Sequence, residues 1–131
     1  MEATRLKKLP LFSDLPRRQR KVIAQHADEV DFPEGTKLVE EGHVAYELFV
    51  IVEGTADVLD GETKIAEMGP GDVVGEIGVL DTVTRTATVV ATSPVSAIVM
   101  YAPEVRALDQ TLPGVIAELR ELGRRRLERH R

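Results

Sequence analysis

The densest apolar signal in the chain is the run Leu48-Phe49-Val50-Ile51-Val52, preceded by Glu47 and closed by Glu53-Gly54. It is too short for a helix and rich in β-branched residues, so it predicts a central strand. Around it, from Val30 to Tyr101, the pattern is one of short β-rich segments separated by turns. Phe32-Pro33-Glu34-Gly35-Thr36 reads as a turn between an extended piece and a Lys37–Val39 strand, and Glu41-Gly42-His43 as another turn. Ala56–Leu59 and Thr63–Ala66 flank Asp60-Gly61, a hairpin signal because both residues tolerate positive φ. Thr86–Ala91 and Val95–Tyr101 predict a last pair around Ser93-Pro94. Strands at this spacing imply a barrel or sandwich rather than a βαβ fold.

Helical periodicity is confined to the two ends. Ser13-Asp14 followed by Pro16 is a start signal, a capping side chain and then proline in the first turn. From Pro16 to about Ala27, Val22, Ile23, Ala24 and Ala27 form an apolar stripe, with Arg17, Arg18, Arg20 and Lys21 expected to face water. Leu6, Leu9, Leu11, Phe12 and Leu15 are expected to pin a short first helix or turn to the body. Pro103 to about Gln110 predicts a short helix, and Pro113 starts a final one through Ile116, Leu119, Leu122 and Leu127. After Gly123, R-R-R-L-E-R-H-R places cations where the macrodipole favours them. The chain therefore reads as a single domain, with helices at 1–27, strands at 28–102 and helices at 103–131.

Composition narrows the functional classes. At 131 residues the chain is long enough for one real core, and 43% hydrophobic with 30% charged residues is ordinary for a globular protein. There are no cysteines, which excludes disulfides, thiol catalysis and cysteine-rich zinc sites. No stretch approaches the length of a membrane span or a signal-peptide core, so a cytoplasmic protein is expected. The net charge of -5 hides an asymmetry. Residues 1–21 hold seven Lys/Arg against two acids, and residues 118–131 hold six against three. The stretch between has four basic residues (Lys37, Lys64, Arg85 and Arg106) against 17 acidic ones. Such a body repels nucleic acid, and Arg85 stands out as the attractor for any anion it binds.

Residues 69–89, G-P-G-D-V-V-G-E-I-G-V-L-D-T-V-T-R-T-A-T-V, carry the candidate chemistry. Backbone N–H groups at a helix start hold phosphate when glycine allows close approach, and Gly75-Glu76-Ile77-Gly78-Val79-Leu80 can form such a turn. Arginine meets phosphate oxygens with a planar fork, and Arg85 sits just ahead of a strand. Glu76 fits this picture if it accepts a hydrogen bond from a ligand hydroxyl such as a ribose 2′-OH. Its structural alternative is an ion pair with Arg85.

G-D-V-V-G-E-I-G-V-L…T-R-T-A-T-V resembles the phosphate-binding cassette of the cyclic nucleotide-binding domain family, whose usual form is F-G-E-[L/I]-A-L-L and then P-R-[A/S/T]-A-T-V. The likeness extends to L-P-L-F-S-D-L, the F-P-E-G-T turn, L-F-V-I-V-E-G-T-A-D-V and the closing helices, which is nearly the whole chain. The resemblance implies a mainly β fold, an eight-stranded antiparallel β-roll of jelly-roll type with N- and C-terminal helices. It implies cAMP, or else cGMP, as the ligand, and no cofactor. By it Glu76 binds the ribose 2′-OH and Arg85 an exocyclic phosphate oxygen. Gly75, Ile77 and Gly78 form the backbone cradle, Thr86 follows the arginine, and Val74 and Ala87 complete the ligand-binding set. Leu119 and Leu122 are the lid candidates. Three positions depart from the pattern: Gly78 replaces alanine or serine, Val74 the common aromatic, and Thr84 the usual proline. None removes a charged or hydrogen-bonding ligand contact.

The implied function is a cyclic nucleotide sensor without enzyme activity, regulating a partner chain or acting through self-association. No kinase, channel, helix-turn-helix or acyltransferase segment occurs in the 131 residues. Thr86 offers a hydroxyl to a guanine 2-amino group, as in cGMP-preferring members, but cAMP-binding relatives also carry one there. The compact, bacterial character of the sequence favours cAMP. A metal-dependent cupin is the rival enzyme reading, but it needs clustered histidines, and His26, His43 and His130 are scattered with no H-x-H pair. The alternative from a third class is a degenerate fold acting as a ligand-independent interaction module.

Overall fold

The computed structural model describes residues 1–43, 47–74, 87–118 and 121. A 3-10 helix (Ala3–Lys8), α1 (Pro10–Ser13) and α2 (Arg17–Gln25) precede the strands. These are β1 (Asp28–Phe32), β2 (Lys37–Val39), β3 (Glu47–Glu53), β4 (Ala56–Asp60), β5 (Thr63–Met68), β6 (Val73–Val74), β7 (Thr88–Ala91) and β8 (Val95–Tyr101). Helix α3 (Ala102–Thr111) follows, and 113–118 is again helical. The strands form two antiparallel four-stranded sheets, ordered β1-β8-β3-β6 and β2-β7-β4-β5. This is the expected mainly β roll with flanking helices. None of the described helices is long and apolar enough to cross a membrane.

Strand β3 is central, between β8 and β6, and its alternation explains its unbroken apolar run. Phe49 and Ile51 point into the space between the sheets, packed with Leu38, Val58, Val74, Val89 and Val99. Leu48, Val50 and Val52 point the other way, onto a layer built from Leu6, Phe12, Ile23, Val105 and Leu108. Both faces are dry, so neither can carry polar residues. Strand β8 repeats the arrangement, with Ala97 and Val99 inward and Ile98 and Met100 toward the helices. Each of these larger side chains contributes about 1.5–3 kcal/mol by burial.

Four local expectations are corrected. Helix α2 has Pro16 as its N-cap and no side-chain cap, because Ser13 and Asp14 instead end α1. Arg20 does not face water. It is 8% exposed and its Nη1 donates to the carbonyls of Leu15 and, at 3.4 Å, Ser13. The hairpin loop is Gly61-Glu62, since Asp60 stays paired with Thr63, and the glycine takes the position that needs φ +62°. Strand β7 starts at Thr88 rather than Thr86, which lies outside the described residues.

Gly54 is required for two reasons at once. Its φ is +96°, and a Cβ there would stand 2.3 Å from the Pro94 carbonyl oxygen. The β3–β4 turn is held against the β7–β8 turn by Thr55 N–H donating to Ser93 Oγ (3.0 Å) and Thr92 N–H to the Thr55 carbonyl (2.9 Å). Gly61 also has positive φ but open space beyond it. Gly61→Ala is therefore expected to cost about 1 kcal/mol, and Gly54→Ala at least about 2 kcal/mol, because backbone strain and overlap add. Thermal melts of the two variants side by side test this, and equal losses would refute the close approach.

Candidate functional site

The segment bearing the candidate chemistry is entered through a clamped turn. Asp72 Oδ2 accepts a hydrogen bond from Gly69 N–H (2.7 Å), and Gly71, at φ +88°, donates its N–H to the Ile51 carbonyl (2.7 Å). Ile51 N–H in turn donates to the Asp72 carbonyl (3.0 Å). These bonds dock the turn on β3 and deliver the chain into β6, where Val74 pairs with Phe49 and Val73 with Val50. Val74 is 2% exposed and points into the space between the sheets.

The segment's far end returns to the same interior. Ala87 is half-buried against the inter-sheet cluster and leads into β7, which lies between β2 and β4. One end thus belongs to an edge strand of one sheet and the other to a central strand of the second. Of the eight sequence-predicted binding residues, the structure brings Val74 and Ala87 onto this shared apolar cluster. Gly75, Glu76, Ile77, Gly78, Arg85 and Thr86 lie outside the described residues, as do the lid candidates Leu119 and Leu122. The Glu76–Arg85 ion pair and the short helical turn at 75–80 fall there too.

The cluster offers an apolar wall, with Phe32 and Phe49 packed edge to face at 5.9 Å between centroids. Lys64, one of the four cations of the central stretch, is committed elsewhere. It pairs with Asp57 (3.4 Å) and Glu67, and the Glu67 hydrogen bond raises its pKa while lowering that of Glu67.

Among the described residues one polar tie joins the helical layer to the sheet and another joins two of its helices, and the sequence pattern contains no signal for either. The Arg5 guanidinium forks onto Glu29 of β1, Nε to Oε2 at 2.7 Å and Nη2 to Oε1 at 2.5 Å, with Ser96 Oγ donating to the same carboxylate at 3.2 Å. His26 Nδ1, just past α2, lies 2.5 Å from Glu104 Oε2 in the first turn of α3. The partners are far apart in sequence, so only the fold reveals them. His43 Nε2 is 3.5 Å from Glu40, and His130 lies outside the described residues. Among the described residues no three His, Cys, Asp or Glu are grouped to hold a metal ion.

A family model for the cyclic nucleotide-binding domain matches residues 29–111. A cAMP-dependent protein kinase regulatory subunit from Hypocrea atroviridis is 26% identical over 118 residues, which is 90% of this chain and 26% of the relative. The chain thus spans about a quarter of that protein. A Geobacter metallireducens protein of known structure, provisionally assigned as cyclic nucleotide-binding, superposes with a TM-score of 0.80 at 21% identity, covering 99% of this chain and 98% of its own. The catabolite activator protein of Thermus thermophilus superposes at 0.77 with 26% identity, over 92% of this chain and 59% of its own.

The Arg5–Glu29 tie has a pH signature. Glu29 is held below its ordinary carboxylate value of 4.5, first by the Arg5 hydrogen bond and then by its charge, with partial burial opposing. A carboxylate with a depressed folded-state pKa stabilises above the unfolded value, and that stability is lost as pH falls through the folded one. Melting temperature is expected to fall more steeply between about pH 5 and about pH 3 in the parent than in Glu29→Gln. Parallel acid limbs in the two proteins would remove this role from Glu29.

Proposed function

Because this chain belongs to the cyclic nucleotide-binding domain family, we propose that it is a cyclic nucleotide sensor that favours cAMP and regulates a separate partner. The observation that carries this reading is the cassette pattern G-E-I-G-V-L…T-R-T-A-T-V lying inside the matched residues 29–111. Glu76 accepts from the ribose 2′-OH, and Arg85 forks onto the cyclic phosphate. Gly75, Ile77 and Gly78 present backbone N–H groups, and Thr86 follows the arginine. Val74 and Ala87 bracket these residues at the apolar cluster, which suits the burial of a nucleoside against aliphatic side chains.

The preference for cAMP draws support from the kinase regulatory relative, whose designation is cAMP-dependent. The same designation, a regulatory subunit, supports an output carried by another polypeptide. Strand β3 offers the mechanical link. Val74 and Phe49 meet on the ligand side, while Val73 and Val50 meet on the helical side. A ligand held by residues 75–86 biases β6, and β6 bears on the helices through Val73. The shift is limited to the ligand's differential affinity for the two arrangements.

Calorimetric titration with cAMP and cGMP, with Arg85→Ala in parallel, tests the proposal. The parent is expected to bind cAMP saturably and more tightly than cGMP. Loss of a charge-assisted hydrogen bond worth about 1.5–3 kcal/mol should weaken the variant roughly 10- to 150-fold. Absence of heat with both nucleotides, together with an unchanged melting temperature, would sink the sensor reading. Tighter binding of cGMP would overturn the base preference alone.

A further inference from the structure

A second cationic site lies away from the cassette, in the N-terminal helices. A cleft of about 390 Å³ opens between the 3-10 helix and α2. Lys7 stands on one wall, and Arg17, Arg20 and Lys21 on the other. The latter three are spaced i, i+3 and i+4 and so share one helical face. Among the described residues Glu2 is the single acid in the lining, which gives these side chains a net charge of +3. Lys7, Arg17 and Lys21 are exposed.

Arg20 is the informative member. It is 8% exposed, yet only its Nη1 meets acceptors, the carbonyls of Ser13 and Leu15. Among the described residues Nε and Nη2 have no acceptor. Buried guanidinium donors normally find partners, because leaving them unpaired is costly. Helix α2 also begins at Arg17 without a side-chain cap, which adds the positive end of its dipole to this side of the cleft.

We propose that this cleft binds a small multivalent phosphate anion of the pyrophosphate class, clamped between Lys7 and the Arg17-Arg20-Lys21 face. Two phosphoryl groups carry about −3 near neutral pH, which matches the lining. Guanidinium forks favour phosphate geometry over a point anion. The compact size follows from the rest of the chain. The stretch between the two basic ends carries 17 acids against four bases, which disfavours a long polyanion but leaves a short one in the cleft. The site is independent of the cyclic nucleotide reading and uses none of its residues.

The test is calorimetry of the full chain with sodium pyrophosphate, against sodium chloride at matched ionic strength. Arg17→Ala/Lys21→Ala and Arg85→Ala are titrated beside it, and amide chemical shifts are mapped. Saturable binding is expected, at least tenfold weaker in the Arg17→Ala/Lys21→Ala protein and unchanged in Arg85→Ala, with shifts concentrated at residues 3–8 and 17–21. Both altered positions are exposed, so the double variant should melt close to the parent. Heat no greater than chloride gives would overturn the site. So would binding that survives Arg17→Ala/Lys21→Ala and disappears with Arg85→Ala, since the anion would then sit in the cassette. Neither result bears on whether cAMP binds.

Discussion

The structure depends on a strand that is dry on both faces. β3 lies between two apolar bodies, the inter-sheet cluster and the helical layer, and consecutive residues serve them alternately. A one-residue slip would exchange the two sets, placing Phe49 under the helices and Val50 between the sheets. Neither set has room for that, because cores are packed to near-crystalline density. The Gly69–Asp72 turn docks on the same strand through Ile51, so the entrance to the candidate site inherits its register. Anything that displaces β6 is therefore felt on both sides of β3.

The helical layer is held by packing first and by a few placed polar groups second. Arg5 and Ser96 converge on Glu29, and His26 meets Glu104, which ties the N-terminal helices to β1 and to α3. Arg20 serves within the layer, closing the end of α1 with its Nη1. The described helices at the two ends of the chain are thus packed as one layer. They share one apolar cluster and a direct side-chain link.

Much of this was legible in the residues and some was not, for reasons that differ. Leu48–Val52 announced a central strand because a continuous apolar run that short has few other homes. Val95–Tyr101 and Lys37–Val39 were readable in their full extent because turns bound them closely. Arg20 was misread because helical periodicity counts a residue's own helix and not the end of a neighbouring one. Ser13 and Asp14 were assigned to the wrong helix because a short helix ending there uses the same residue types as one beginning. Asp60-Gly61 was one residue early, since the strand kept the aspartate. The cassette was recognisable from its spacing of glycine, glutamate and arginine, and of its residues the structure describes Val74 and Ala87, which join one apolar cluster.

The strand order also governs how the chain is assembled. β8 occupies the position between β1 and β3, and β7 the position between β2 and β4. A chain emerging from the ribosome therefore exposes β3 with no neighbour on that side until Tyr101 has been made. Until then the most adhesive segment of the protein, Leu48–Val52, is a bare strand in a crowded cell. Closing a sheet across such sequence separations is slow, because loop entropy is lost before the contacts repay it. The same insertion that gives the finished roll its rigid centre makes its youth the period of greatest risk for aggregation.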